Sequence, residues 1–261
     1  MERFSYFAIL VSRELSIKIF IFIMAQRHNS KEIRTSASHH AIRFSEVGKG
    51  INWMIFKIMS EFVMGFNFLS KLKKEVSFFG SARVSEDSVH YKEARELARM
   101  LNGAGYTVIT GGGPGIMEAA NRGASEGKGR GLSVGLNIEL PSGQRVNPYV
   151  QDGVAFDFFF TRKVMLSASA QAYVFFPGGF GTLDEFFEII TLIQTKKINP
   201  VKVVLVGKDF WQPLLDWIHE VVYKHHGAVA RGDMGLYRLA DDIDDAFRMI
   251  RGSKEKGFFN Q

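Results

Sequence analysis

The nine residues Pro177–Glu185, PGGFGTLDE, combine three glycines with a threonine and two carboxylates. Gly178, Gly179 and Gly181 leave backbone amides free, and a helix beginning near Thr182 adds a partial positive charge, which is the chemistry of phosphate binding. A carboxylate at such a mouth does not suit the phosphate itself. Glu185 suits a sugar or a developing positive charge, or it reaches back to Thr182 as the far end of a capping box. The two readings are not exclusive. Asp184 reads as a solvated carboxylate in the same first turn.

Two further turns carry small residues. TGGGPGIME (110–118) offers Gly112, Gly113 and Gly115 for close backbone approach to a ligand, with Pro114 in a first helical turn where its missing N–H costs nothing. Glu118 is either a ligand contact or a first-turn carboxylate favoured by the helix dipole. FFGSAR (78–83) supplies Ser81 and Arg83. Arg162 and Lys163 stand side by side where a strand is expected to give way to a helix. Cations at that end cost about 0.3–1 kcal/mol each, so a carboxylate or a bound phosphate is needed to hold them. The alternative is a surface pair lying over Phe158–Phe160.

These turns must be positioned by regular elements. VSFFG (76–80), YTVIT, GLSVGLNI, AFDFFF, AYVFF and VKVVLVG read as strands. Between them lie helical segments, among them three expected to start near Arg162, Thr182 and Asp209, and DDIDDAFRMIRG closes the series. Strands alternating with helices predict an α/β fold, a Rossmann-like doubly wound parallel sheet with helices on both faces. Ligands of such sheets bind at the carboxyl ends of strands, where all three turns fall. Neither glycine turn is a dinucleotide fingerprint or a P-loop, so the expected ligand is a mononucleotide or a sugar phosphate.

Residues 51–70 read as a separate helix, INWMIFKIMSEFVMGFNFLS, apolar on more than one side and so expected to form a subunit interface. Residues 71–261 are assigned to the Rossmann-like domain. Residues 1–50 read as an N-terminal extension, mobile or partly untranslated, with Met24 an alternative start. The run IKIFIFIMA is too short for a membrane span, and His39 and His40 lack partners at metal-ligand spacing. No metal and no cofactor are expected. The chain has 261 residues, no cysteine and a formal charge of +6. That excludes disulfides and thiolate chemistry and suits a cytoplasmic protein. The basic residues are dispersed among 27 acidic ones, so neither nucleic acid nor a membrane is expected as a partner.

GGGPGIMEAANRG, FFFTRK and PGGFGTLDE together resemble the LONELY GUY (LOG) family of cytokinin-activating phosphoribohydrolases, members of which also carry the label "possible lysine decarboxylase". Pro177, Gly178, Gly179, Gly181, Thr182 and Glu185 match every fixed position of the family signature PGGxGTxxE. The similarity runs from about Trp53 to Lys197, and the stretch GLNIELPSGQRVNPYV is like that of the longer bacterial subgroup. The resemblance implies an enzyme that hydrolyses the N-glycosidic bond of a nucleoside 5′-monophosphate, AMP or a cytokinin riboside 5′-monophosphate, to free base and ribose 5-phosphate. It implies Arg162 and Glu185 as catalytic residues, with Arg162 pairing with Glu185 or with the substrate. Ser81, Arg83, Gly112, Gly113, Gly115, Glu118, Lys163, Gly178, Gly179, Gly181 and Thr182 are then substrate contacts, and the assembly a homodimer or larger homo-oligomer. A lysine decarboxylase would need a lysine in a pyridoxal phosphate context, which no motif supplies. The alternative is a non-catalytic nucleotide- or molybdenum-cofactor-binding protein of the same fold, which would need the glycines but not the Arg162–Glu185 pair.

Overall fold

A computed structural model describes residues 51–139 and 146–253. The expectations for residues 1–50 and for part of the GLNIELPSGQRVNPYV stretch fall outside them. In chain order the elements are α1 (Ile51–Leu69), β1 (Glu75–Phe79), α2 (Val89–Gly103), β2 (Thr107–Thr110), α3 (Ile116–Glu126), β3 (Ser133–Ile138), β4 (Asp152–Phe156), α4 (Phe159–Ala168), β5 (Ala172–Phe175), α5 (Phe180–Gln194), β6 (Lys202–Leu205), α6 (Lys208–Trp217), β7 (Arg238–Leu239) and α7 (Ile243–Ile250). A π-helical stretch, Ile218–His225, prolongs α6.

The strands form one sheet in the order β4-β3-β2-β1-β5-β6-β7, and every pairing is parallel. Alternate strand residues feed two cores. Val76, Phe78, Val108, Val174 and Val204 pack under α2, α3 and α7, while Phe79, Ile109, Val134, Tyr173, Phe175 and Leu205 pack on the other side against α1, α4, α5 and α6. Strands buried on both faces read as continuous apolar runs, which is why they stood out in the sequence. The chain leaves β1 toward β2, β3 and β4, then returns to lay β5 along the free side of β1. The crevice at the carboxyl ends of β1 and β5 is therefore a topological switch point, where open α/β sheets bind ligands.

Three boundaries differ from expectation. The aromatic run FDFFF is not strand throughout: β4 ends at Phe156, Phe158 is the N-cap of α4, and Phe159 and Phe160 lie exposed in its first turn. The helix expected near Thr182 starts two residues earlier, at Phe180. The two-residue strand β7 is too short to leave a periodic signal.

Candidate functional site

The three small-residue turns meet at the switch point. The Ser81 amide donates to the Pro177 carbonyl (3.0 Å), and the Ile116 amide donates to the Ser81 carbonyl (3.0 Å), tying the turns after β1, β5 and β2 to one another. Gly115 has φ +69°, and a Cβ there would stand 2.3 Å from the Ser81 carbonyl oxygen, so only glycine permits this junction. Ser81 Oγ accepts the Arg83 amide (3.1 Å), and Arg83 itself is exposed.

The second turn is pinned from below by a buried polar network. Thr110 Oγ1 accepts the Gly112 amide (2.8 Å) and donates to Asn121 Oδ1 (2.6 Å). Asn147 donates through Nδ2 to the Gly113 carbonyl (3.0 Å) and to Asn121 (3.0 Å). Sequence reading passed over Asn121 and Asn147, whose importance rests on long-range partners. Glu118 faces α2, where its carboxylate accepts the Tyr91 hydroxyl (3.1 Å).

The glycines of the third turn divide into two kinds. A Cβ at Gly178 would stand 2.1 Å from Thr182 Oγ1, so packing requires that glycine. At Gly179 and Gly181 a Cβ would meet nothing within 4 Å. Neither residue has a positive φ, so neither packing nor conformation demands a glycine. What their bareness leaves is open space over the N-terminus of α5, whose first amides have no side-chain cap.

Because α5 starts at Phe180, Glu185 lies in its second turn, beyond the reach of a capping box, and Thr182 is not the N-cap. The cap reading is thereby set aside. Glu185 is buried (7% exposed), and its Oε2 has no hydrogen-bond partner. Burial pushes its carboxyl up to about 7; the Lys163 ammonium opposes that rise, and Glu188 and Asp184 add to it.

Lys163 extends from α4 to three carboxylates of α5: Asp184 at 2.6 Å, Glu188 at 2.7 Å and Glu185 at 3.5 Å. Burial lowers its affinity for a proton, but the hydrogen bond to Asp184 and the close Glu188 and Glu185 carboxylates outweigh that and hold it well above the usual lysine range. Asp184, read as a free first-turn carboxylate, is thus Lys163's hydrogen-bonding partner. Of the two partners expected for Arg162, Glu185 is not in ion-pair contact; the place is taken by Lys163. Arg162 is largely buried and donates through Nε to the Leu136 carbonyl (2.7 Å). A Cβ at Gly111 would stand 2.2 Å from Arg162 Nη2, so the guanidinium lies directly against the second glycine turn. Burial lowers its pKa, and the Glu185 charge partly restores it.

Both cations are presented by α4, whose N-terminus is held by Glu61 of α1. This buried carboxylate accepts the Asp157 amide (2.8 Å), the Phe158 amide (3.4 Å) and the Thr161 hydroxyl. The distance from Glu61 to α4 in sequence hid this contact. Among the described residues no group of His, Cys, Asp and Glu is arranged to hold a metal ion. No helix there is long and apolar enough to cross a membrane. A separate cavity of about 300 Å³, lined in part by Phe66, Gln171, Tyr173 and Ile198, opens at the amino ends of the strands, away from the glycine turns.

The fold and the switch-point turns define a Rossmann-like α/β protein. The chain belongs to the LOG family: its family model, described as "Possible lysine decarboxylase", matches residues 117–250. A "Cytokinin riboside 5′-monophosphate phosphoribohydrolase" of Rhodococcoides fascians is 29% identical over 90 residues, which is 34% of this chain and 44% of that protein. A "Probable cytokinin riboside 5′-monophosphate phosphoribohydrolase" of Oryza sativa subsp. japonica is 29% identical over 62% of this chain and 64% of its own length. The chain thus spans 44% and 64% of the length of these two relatives. Among solved structures, the molybdenum cofactor carrier protein of Chlamydomonas reinhardtii superposes with a TM-score of 0.50 at 21% identity, covering 69% of this chain and 98% of that one. The molybdenum cofactor binding protein of Rippkaea orientalis does so at the same score and identity, covering 68% and 93%. At that identity the likeness is one of fold.

Proposed function

We propose that this chain is a nucleoside 5′-monophosphate phosphoribohydrolase, hydrolysing AMP or a cytokinin riboside 5′-monophosphate to free base and ribose 5-phosphate. The observation that carries this reading is Glu185: a buried carboxyl with one unpartnered oxygen and a pKa near 7, one helical turn beyond an uncapped, glycine-lined helix start. The 5′-phosphate is held by the amides at Gly178–Gly181 and by Thr182, with the Arg162 guanidinium adding positive charge where it lies against Gly111 of the second turn. Ser81 and Arg83 line the crevice from the β1 side.

That pose puts the ribose over Glu185. As the C1′–N bond lengthens, positive charge grows on C1′ and the ring oxygen, and the ionised carboxylate stabilises it. Glu185 takes a proton from the attacking water, whose oxygen bonds to C1′. The bond electrons leave with the base, which receives the proton that Glu185 took from the water. Lys163 keeps the carboxylate aimed. It does not suit Schiff-base chemistry, because its ammonium is held charged by three carboxylates, whereas an attacking lysine must be neutral.

The fold likeness to molybdenum cofactor carriers supports a second reading, a binding protein without hydrolysis. Such a protein needs the glycine turns but not the buried Glu185 carboxyl beside them. Chromatography of base release from AMP and isopentenyl-AMP, with adenosine as the phosphate-free control, decides between them. Release from the monophosphates alone, lost in Glu185→Gln, is expected; nucleotide binding without release from the wild type would move the chain to the binding class.

A further inference from the structure

We propose that Glu188 is a positioning residue that draws the Lys163 ammonium off Glu185, leaving the Glu185 carboxyl free to take up and return a proton. The proposal rests on reading Glu185 as the group that works on the sugar. Nothing in the glycine signature or the family resemblance singled out Glu188.

The geometry is a competition for one cation. The ammonium has three protons. It lies 2.6 Å from Asp184, to which it donates a hydrogen bond, and 2.7 Å from Glu188. The Glu188 contact is close but off the hydrogen-bonding direction, so its strength is that of an ion pair. Glu185 receives the most distant contact, 3.5 Å to Oε1, and its Oε2 is left without a partner. Glu188 follows Glu185 by one helical turn, so the two carboxylates also repel.

The groups facing Glu185 are Arg162 and Lys163 from α4, Asp184 and Glu188 from α5, and the Tyr173 phenol from β5. Burial keeps that phenol neutral, and its hydroxyl donates to the Ser167 carbonyl. With every carboxylate ionised, three negative charges face two positive ones. The set balances when one proton is held, and Glu185, the most buried of the three carboxyls, is the one placed to take it up. Were Lys163 free to close on Glu185, a tight ion pair would fix that carboxylate in its charged form.

The test is a carbon-13 NMR titration of the glutamate side-chain carboxyls in the full chain, with Glu185 assigned as the resonance missing from Glu185→Gln. In Glu188→Gln the freed ammonium turns to Glu185, whose proton affinity falls about tenfold, one pH unit in the midpoint. Asp184→Asn, at a more exposed carboxylate, gives a smaller fall. The same Glu188→Gln change made on a Lys163→Met background separates the two causes. If Glu188 acts by holding Lys163, most of the shift disappears there. An unchanged midpoint in Glu188→Gln, or an equal shift on both backgrounds, overturns the proposal, the latter because simple repulsion then explains everything. Where base release is found, the acid limb of its pH profile moves down with the midpoint. A wild type that releases no base would sink the functional reading, while the titration still decides the role of Glu188.

Discussion

Glu185 is held at some cost to the fold. Burial raises its carboxyl from the ordinary 4.5 to about 7. A folded-state value above the unfolded one means that the native protein favours the protonated form. The associated stability is fully present below about pH 4.5 and is lost as pH rises through about 7. Glu185→Gln, which removes the charge and keeps the shape, should therefore melt above the wild type at pH 8. The gap should be on the order of 2–3 kcal/mol and close by pH 4. Thermal melts at pH 4, 6 and 8 check this; coincident curves at pH 8 would remove the burial account. The same variant should lose base release by about a thousandfold or more, separating activity from stability. The signature motif made Glu185 visible in the sequence but could not tell whether it caps α5, because a shift of two residues in the helix start removes that role and boundaries carry no sharper signal. Lys163 and Glu188 were legible as charges, whereas their contest over one ammonium depends on α4 lying beside α5.

At the scale of elements, the two bare glycines of the third turn make a separable prediction. Gly181→Ala places a methyl group in open space within the first turn of α5. It should leave stability unchanged or raise it by about 0.4–1 kcal/mol, since alanine restricts the unfolded chain. If that space is where a phosphate sits, the KM for the monophosphate rises at least tenfold. Urea unfolding and steady-state kinetics on one preparation measure both, and an unaltered KM would remove the turn from the site. Glu61→Gln on α1 should destabilise by about 1–3 kcal/mol, because it weakens the acceptance of two amides and a hydroxyl at the start of α4. The alternation that predicted the parallel sheet was legible because each central strand is buried on both faces. The aromatic run after β4 misled for the same reason: Phe158–Phe160 look like buried strand, yet Phe159 and Phe160 are about half exposed in the first turn of α4.

At the scale of the whole molecule, α1 is, among the described elements, the one that exposes the most large apolar side chains. Phe56, Met59 and Val63 are 64%, 56% and 61% exposed, while Phe62, Phe66 and Leu69 pack into the core. The apolar character on more than one side that the sequence showed is thus divided between an inner face and an outward stripe. A stripe of that kind fits the homo-oligomer expected from the family resemblance. Light scattering should give at least a dimeric mass, and Met59→Lys combined with Val63→Lys should reduce it to a monomer without altering the circular dichroism. A monomeric wild type would overturn this.

The same helix carries Glu61, which holds the start of α4, and α4 carries Arg162 and Lys163. The amide protons of Asp157 and Phe158 are consequently reporters: they exchange with deuterium slowly only while α1 stays seated. Whatever occupies the outward stripe of α1 and steadies it will slow that exchange, one residue short of the helix that presents both cations. The seating of a surface helix is thereby written into the placement of Arg162 and Lys163.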